Sequence, residues 1–338
     1  MQNIKPEFRQ WIANQLGGEA FTLVPLTGDA SFRSYYRAAT QSQNYIVMLA
    51  PPEKERTDAF VAIANAWHAG GICVPEVMGW EPQQGFVLLS DFGDTLLLDK
   101  LNPHTADDYY HQAMQMLPQL QRQDGGVYPL PLFDEAHIRL ELSYFQDWFL
   151  TKLLNIDIPS AIQSMLENVY AQLVICFQAQ PQVTVHRDYH SRNLMVLPHT
   201  LGVIDFQDAM LGPITYDIVS LLKDCYIRWD NEQIEQWVRV FHHTLPQTLL
   251  NVDETTFLRW FDWVGLQRHM KVLGIFSRLH LRDNKPRYLD DIPRILNYVL
   301  NVTSSYPEWR DFDRWCRLEV LPRLEQLPHF QHVDFKVA

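Results

Sequence analysis

The chain has 338 residues, with 28 basic against 40 acidic side chains and a formal net charge of −12. A surface that repels phosphate on average argues against nucleic acid as partner. A composition 47% hydrophobic and 12% aromatic excludes a disordered chain. The length suits about two domains, or one domain of two lobes. Cys73, Cys176, Cys225 and Cys316 form no CxxC pair, which argues against a zinc or redox motif. The first residues, MQNIKPEFRQWIANQLGG, carry charges at Lys5, Glu7 and Arg9 and do not read as a secretory leader. No apolar run reaches the roughly 18 residues of a membrane span. The expectation is a cytoplasmic protein with reduced thiols.

In chain order, the first ninety residues read as short strands. Segments 21–25, 34–38 and 45–49 alternate in strand fashion, with the polar turn Thr40-Gln-Ser-Gln-Asn44 between the second and third. Pro51-Pro52 stops the third strand. Segment 58–68 reads as an amphipathic helix ended by Gly70-Gly71, and 76–80 and 85–89 as two more strands. After about residue 95 the texture becomes helical. Tyr109, Ala113, Met116, Leu117 and Leu120 recur at helical spacing, as do apolar residues in 140–153, 218–226, 234–241, 257–279 and 292–299. Between them, 181–208 reads as a loop and hairpin. There is no internal repeat. Sheet first and helices after imply an α+β protein of two lobes, a sheet lobe at 1–90 and a helical lobe at 91–338.

The interrupting segment carries the chemistry. It runs Val185-His-Arg-Asp-Tyr-His-Ser-Arg-Asn-Leu-Met-Val196, then Leu201-Gly-Val-Ile-Asp-Phe-Gln-Asp208. Phosphoryl transfer needs one carboxylate to accept or orient the proton of an attacking hydroxyl. It also needs separate oxygens to hold Mg²⁺ on the nucleotide phosphates. Asn193 and Asp205 suit the metal, which leaves Asp188 as the base.

HxDxHxxN followed by IDFxD resembles the aminoglycoside phosphotransferase and choline kinase branch of the protein-kinase-like fold. Gly212-Pro-Ile-Thr-Tyr-Asp-Ile-Val219 is similar to the segment that follows the metal-binding acid in that family. The resemblance implies a bilobal kinase fold that uses ATP and Mg²⁺. It gives His186, His190 and Asp217 supporting roles in the catalytic loop. Asp208 is either part of the metal's surroundings or a turn acid. Asp91-Phe92-Gly93 spells a kinase motif but precedes the catalytic loop. It reads instead as the connector between lobes, with the Ser90 carbonyl and the Phe92 amide facing adenine. Gly28, Ser31 and Arg33 lie where kinases carry a phosphate-covering loop, although this one has a single glycine. Met48 stands where a kinase places its phosphate-binding lysine. Lys54, Arg56, Arg33 and Arg37 are the candidate substitutes, and reliance on metal alone is the alternative. No partner glutamate is evident among residues 58–68.

Eleven residues separate Asp205 from Asp217, too few for a protein kinase's activation segment, so a small-molecule acceptor is expected. Arg268, His269 and Lys271 concentrate positive charge in an acidic chain. Arg268 and Lys271 share a helix face and suit an anionic substrate group. The pattern GLQRHxKVLGIFxRL, with Ile46-Val-Met-Leu-Ala-Pro-Pro52, is similar to the bacterial cell-wall amino-sugar kinases. That resemblance implies phosphorylation of N-acetylmuramic acid and N-acetylglucosamine at the anomeric hydroxyl, giving the α-1-phosphate for cell-wall recycling. The expected partner is a small-molecule sugar, with no nucleic acid or membrane partner, and the expected state is a monomer. An aminoglycoside, choline or other small-molecule kinase is the alternative, and a non-catalytic nucleotide-binding pseudokinase is a second.

Overall fold

The computed structural model describes residues 5–26, 32–247, 249 and 251–333. The chain forms two compact units, Met1–Leu130 with Arg192–Ala209, and Pro131–Ser191 with Met210–Ala338. This division cuts the chain elsewhere than at residue 90: segments 91–130 and 192–209 go with the sheet.

The first unit opens with helix α1 (Pro6–Gln15). It continues through β1 (Thr22–Leu26), β2 (Ser34–Ala39), β3 (Asn44–Leu49), α2 (Thr57–Ala69), β4 (Val77–Glu81) and β5 (Phe86–Ser90). The strands make one antiparallel sheet in the order β1-β2-β3-β5-β4. Alternation fixes the two faces. Tyr36, Ala38, Val47, Phe86 and Leu88 cluster with Phe8 and Ile12 of α1. Tyr35, Met48 and Val87, which are cross-strand neighbours in the register, take the opposite face. Helix α3 (Ala106–Leu120) follows. The later segment of this unit adds a hairpin, β7 (Leu194–Val196) and β8 (Leu201–Val203). Three main-chain links hold the hairpin: Leu96 bridges to Met195, Val196 N–H donates to Thr95 O at 2.8 Å, and Val203 N–H donates to Cys73 O at 2.7 Å. Phe206, fully buried, packs on Phe60 and Trp67 of α2 at ring separations of 4.9 and 5.6 Å. Burying a ring of that size contributes roughly 2–3 kcal/mol, and here it anchors the residue next to Asp205.

The second unit is helical. It contains α4 (Glu135–Tyr144), α5 (Ser160–Gln178), α6 (Tyr216–Leu222), α7 (Asn231–Thr244), α8 (Glu254–Leu281), α9 (Ile292–Ser305), α10 (Arg310–Trp315) and α11 (Leu321–Glu325). A two-stranded ribbon, β6 (Gln182–Val185) with β9 (Met210–Pro213), ties together the segments on either side of the catalytic hairpin. Helix α8 is 28 residues long and buried on most of its circumference from Trp263 to Leu279, as expected of a central helix. It crosses α4 at Gly274, where an added methyl would overlap the Tyr144 carbonyl. At that crossing α4 passes into a π-helical stretch, Phe145–Leu153, a local widening often found beside functional sites.

The α+β architecture agrees with the sequence expectation, and each anticipated strand of the sheet is present. Two helical expectations change. Segment 160–178 is α5, although the sequence analysis marks no helix there. The helix expected over 218–226 ends at Leu222, because the Asp224 carboxylate accepts the N–H groups of Ser191 and Tyr226, both at 3.0 Å, and turns the chain away. Among the described residues no helix is long and apolar enough to cross a membrane.

Candidate active site

In the second unit the loop 186–191 is held from beneath by α6. Asp217, fully buried in the first turn of α6, accepts the backbone N–H of His186 at 2.7 Å and that of Arg187 at 3.0 Å. Burial raises the Asp217 carboxyl to about 6, against the pull of His186 and these backbone bonds. His186, also fully buried, accepts the Asp188 N–H on Nδ1 at 3.2 Å. Arg187 adopts a left-handed φ of 76°, which costs a side-chain-bearing residue about 1–2 kcal/mol. The conformation persists because the residue is pinned: its N–H by Asp217, and its guanidinium by Glu141 at 2.5 Å. His190 closes the turn by donating its N–H to Asp188 O at 2.9 Å, and its ring stands edge-on to Tyr226 at 5.4 Å. Burial keeps His190 below its ordinary pKa, hence neutral near pH 7. His186, His190 and Asp217 all make contacts within or beneath this loop.

Glu141, not anticipated from sequence, is the hub beneath the loop. It is 5% exposed and takes Arg187, Lys271 at 3.0 Å and Gln267 at 2.9 Å. Burial pushes its carboxyl up, and the charges of Lys271 and Arg187 overcome that push. The same cations act on Asp188. Burial alone would raise this carboxyl, but Lys271, Arg268 and Arg187 hold it well below the carboxylate range. Asp188 is therefore fully ionised at neutral pH, as a group that accepts or orients a hydroxyl proton must be.

The basic residues of α8 separate by partner. His269 lies fully buried, bonded through Nε2 to the Lys223 carbonyl at 3.0 Å and stacked on Tyr298 at 4.7 Å. Burial drives its pKa well down. Those contacts are structural, so the expectation that it faces substrate lacks support. Lys271 is committed to Glu141. Arg268, 2% exposed, meets the Cys225 Sγ at 3.4 Å.

In the first unit Asn193 and Asp205 come together at the open end of the β7–β8 hairpin, where Ile204 N–H donates to Asn193 O at 3.0 Å. Asp205 has a left-handed φ of 64°, and its side chain stays half exposed. Its Oδ1 accepts Gln207 Nε2 at 2.8 Å, and Asp208 receives the same amide at 3.4 Å. Among the described residues no group of three or more His, Cys, Asp or Glu is placed to hold a metal by itself. Two oxygen-bearing side chains at one hairpin end, one of them an accessible carboxylate, fit Mg²⁺. That ion takes few protein oxygens and leaves the rest of its shell to phosphate and water.

Met48 is fully buried and offers no charge. Among the named substitutes, Lys54 lies over the Phe32 ring at 4.3 Å, Arg56 pairs with Asp58 at 2.6 Å, and Arg37 is held by Asp91 at 2.6 Å and Asp94 at 2.8 Å. Of these four, Arg33 comes near Asp205. It grips Glu55 at 2.9 Å, and its Nη1 stands 4.0 Å from Asp205 Oδ1. Glu55 lies two residues ahead of α2, outside residues 58–68. Tyr35 joins the group, its hydroxyl pushed up to about 12 by burial and bonded to Arg33. Gly28 and Ser31 lie outside the described residues. Ser90 shares the sheet face of Leu88 by alternation and takes the Glu76 N–H on its Oγ at 2.9 Å. The adjoining Phe92 ring packs against Gly202, where a Cβ would overlap it.

The model of a family described as "Phosphotransferase enzyme family" matches residues 22–252. The N-acetylmuramate/N-acetylglucosamine kinase of Pseudomonas aeruginosa is 39% identical over 292 residues, 85% of each chain. The protein of that name from Neisseria meningitidis is 34% identical over 310 residues, 89% of this chain and 92% of its own length. Among solved structures, the ADP-bound aminoglycoside phosphotransferase APH(2'')-Ib superposes with a TM-score of 0.56 at 13% identity, over 87% of this chain and 98% of that one. This bears out the expected kinase-like fold. With its catalytic segment inside the family match and relatives aligned over most of its length, the chain belongs to the phosphotransferase enzyme family and is a kinase.

Proposed function

We propose that the protein is an ATP- and Mg²⁺-dependent kinase of N-acetylmuramic acid and N-acetylglucosamine, transferring the γ-phosphoryl group to the anomeric hydroxyl. The observation that carries this reading is the shared name of relatives 34–39% identical over at least 85% of this chain. Asp188 accepts or orients the proton of the anomeric hydroxyl, kept ionised by the cations packed around it. The side-chain oxygens of Asn193 and Asp205 hold Mg²⁺, which when bound neutralises charge on the phosphates. Arg33, steadied by Glu55, supplies a guanidinium on the phosphate side. The backbone at Ser90 and Phe92 receives adenine, and Gly28 and Ser31 cover the phosphates. Such a site works by positioning and charge stabilisation rather than by covalent chemistry. The acceptor is a small sugar, and the enzyme acts as a cytoplasmic monomer.

The test measures ADP release with ATP and Mg²⁺ against N-acetylmuramic acid, N-acetylglucosamine, choline and kanamycin. Turnover confined to the amino sugars, with an acid-labile product phosphate, is the expected result. An acid-stable phosphate would move transfer away from the anomeric position, and turnover of choline or kanamycin alone would overturn the sugar assignment.

A further inference from the structure

Among the described lysines and arginines of the second unit, Lys223, Lys271 and Arg268 are buried. Lys223 has Asp262 at 2.7 Å and Lys271 has Glu141 at 3.0 Å. Among the described residues no carboxylate forms an ion pair with Arg268; its direct polar partner is the thiol of Cys225 at 3.4 Å. A guanidinium held away from water without a counter-ion is expensive, and such a charge is normally matched by an acid or a ligand. The acids nearest in charge are already engaged. Asp224 accepts the N–H and hydroxyl of Ser191 and the N–H of Tyr226, and Asp188 is the proposed base. Arg268 nevertheless lies within electrostatic reach of Asp188 and of His190, two residues further along the loop. The buried Nδ1 of that histidine has no hydrogen-bond partner. Two polar groups lacking full partners beside the base describe a place where part of a polar, anionic acceptor would sit.

We propose that Arg268 is the specificity residue that pairs with the carboxylate of an acidic amino sugar, favouring N-acetylmuramic acid over its uncharged counterpart. The inference rests on the sugar-kinase reading above and adds which group decides between the two sugars. The chemistry suits it. The lactyl ether of N-acetylmuramic acid branches from C3, two ring positions from the anomeric carbon, so an acceptor hydroxyl at Asp188 brings the carboxylate near the base. Without a cation there, the two carboxylates would repel. Arg268 offers planar, paired N–H donors to the incoming one. Lys271, which pairs directly with Glu141, and His269, neutral and bonded to the Lys223 carbonyl, already have side-chain or main-chain partners.

The test compares kcat/KM for N-acetylmuramic acid, its carboxamide and N-acetylglucosamine in the wild type, Arg268→Gln and Arg268→Lys. The wild type should favour the acid over the carboxamide, and Arg268→Gln should reduce that preference by about 10- to 100-fold. Arg268→Lys, which keeps a point charge but not the fork, should fall between. Both sugars can lose turnover in the variants through the effect on Asp188, so the acid-to-carboxamide ratio is the readout. An unchanged ratio in Arg268→Gln overturns the proposal. So does a wild type that treats acid and carboxamide alike, which needs no variant to fold. Wild-type enzyme that phosphorylates none of the three sugars would instead bring down the sugar-kinase reading itself.

Discussion

Arg33 holds Asp205 at 4.0 Å while gripping Glu55 at 2.9 Å. An arginine just ahead of β2 and an acid just ahead of α2 thus assemble beside the Asp205 carboxylate. Arg33→Gln should raise KM for ATP by about 10- to 100-fold, the scale of one charge-assisted hydrogen bond to phosphate, with a smaller change in KM for the sugar. Steady-state kinetics varying each substrate in turn separates the two, and equal rises in both constants would count against a phosphate role.

Asp188→Asn preserves shape and hydrogen-bonding reach but removes the base. Turnover should fall by about 10²- to 10⁴-fold, with ATP affinity changed little when titrated by calorimetry. Turnover close to wild type would refute the assignment.

Asp205→Asn removes the half-exposed carboxylate at the hairpin end. Nucleotide affinity in the presence of Mg²⁺ should weaken by at least about tenfold, while affinity measured in EDTA should hardly move. A loss of equal size with and without the ion would show that Asp205 acts other than through metal.

The depressed carboxyl of Asp188 has a pH consequence. Because its folded-state pKa lies below the ordinary 3.8, its contribution to stability is present above that value and lost as pH falls further. Across pH 5–8 the base stays ionised, so kcat/KM should show no acid limb from this group. Lys271→Met removes one of the charges responsible, and loss of a nearby opposite charge raises a carboxyl by about 1–3 units. An acid limb displaced upward in the variant's pH–rate profile is the expected outcome; superimposable profiles would contradict the electrostatic account.

Gly274 is where α8 meets the backbone of Tyr144 and Phe145. Gly274→Ala should destabilise the protein by about 1–3 kcal/mol or more through overpacking, read as a lower urea midpoint. The nearby Gly265, whose added Cβ would make only ordinary contacts, should accept alanine with far less effect.

Much of this was legible in the sequence where the signal is local. The sheet could be read because Tyr45-Ile-Val-Met-Leu49 and its neighbours alternate between turn residues. The phosphotransferase family could be read because Asp188, Asn193 and Asp205 stand at short, fixed intervals. Helix α5 was not expected, although Leu166, Val169, Tyr170, Leu173, Val174 and Phe177, all buried, recur at helical spacing. Glu141 was not, since it meets Gln267 and Lys271 from well over a hundred residues away, and nothing near it in sequence marks it as buried. The partners of the α8 cluster were hidden for the same reason. Side-chain type shows where positive charge lies, and only the fold shows that His269 turns to a carbonyl and Lys271 to an acid.

The bond between Arg187 and Glu141 also bears on control. Many kinases are switched on when a phosphate added to a mobile loop is captured by arginines, which orders the machinery. Here the arginine next to the base receives its negative partner from α4 of its own chain, as part of folding. The conformation of this loop is thus tied to the packing of α4, and a change that loosens α4 reaches the loop through one ion pair.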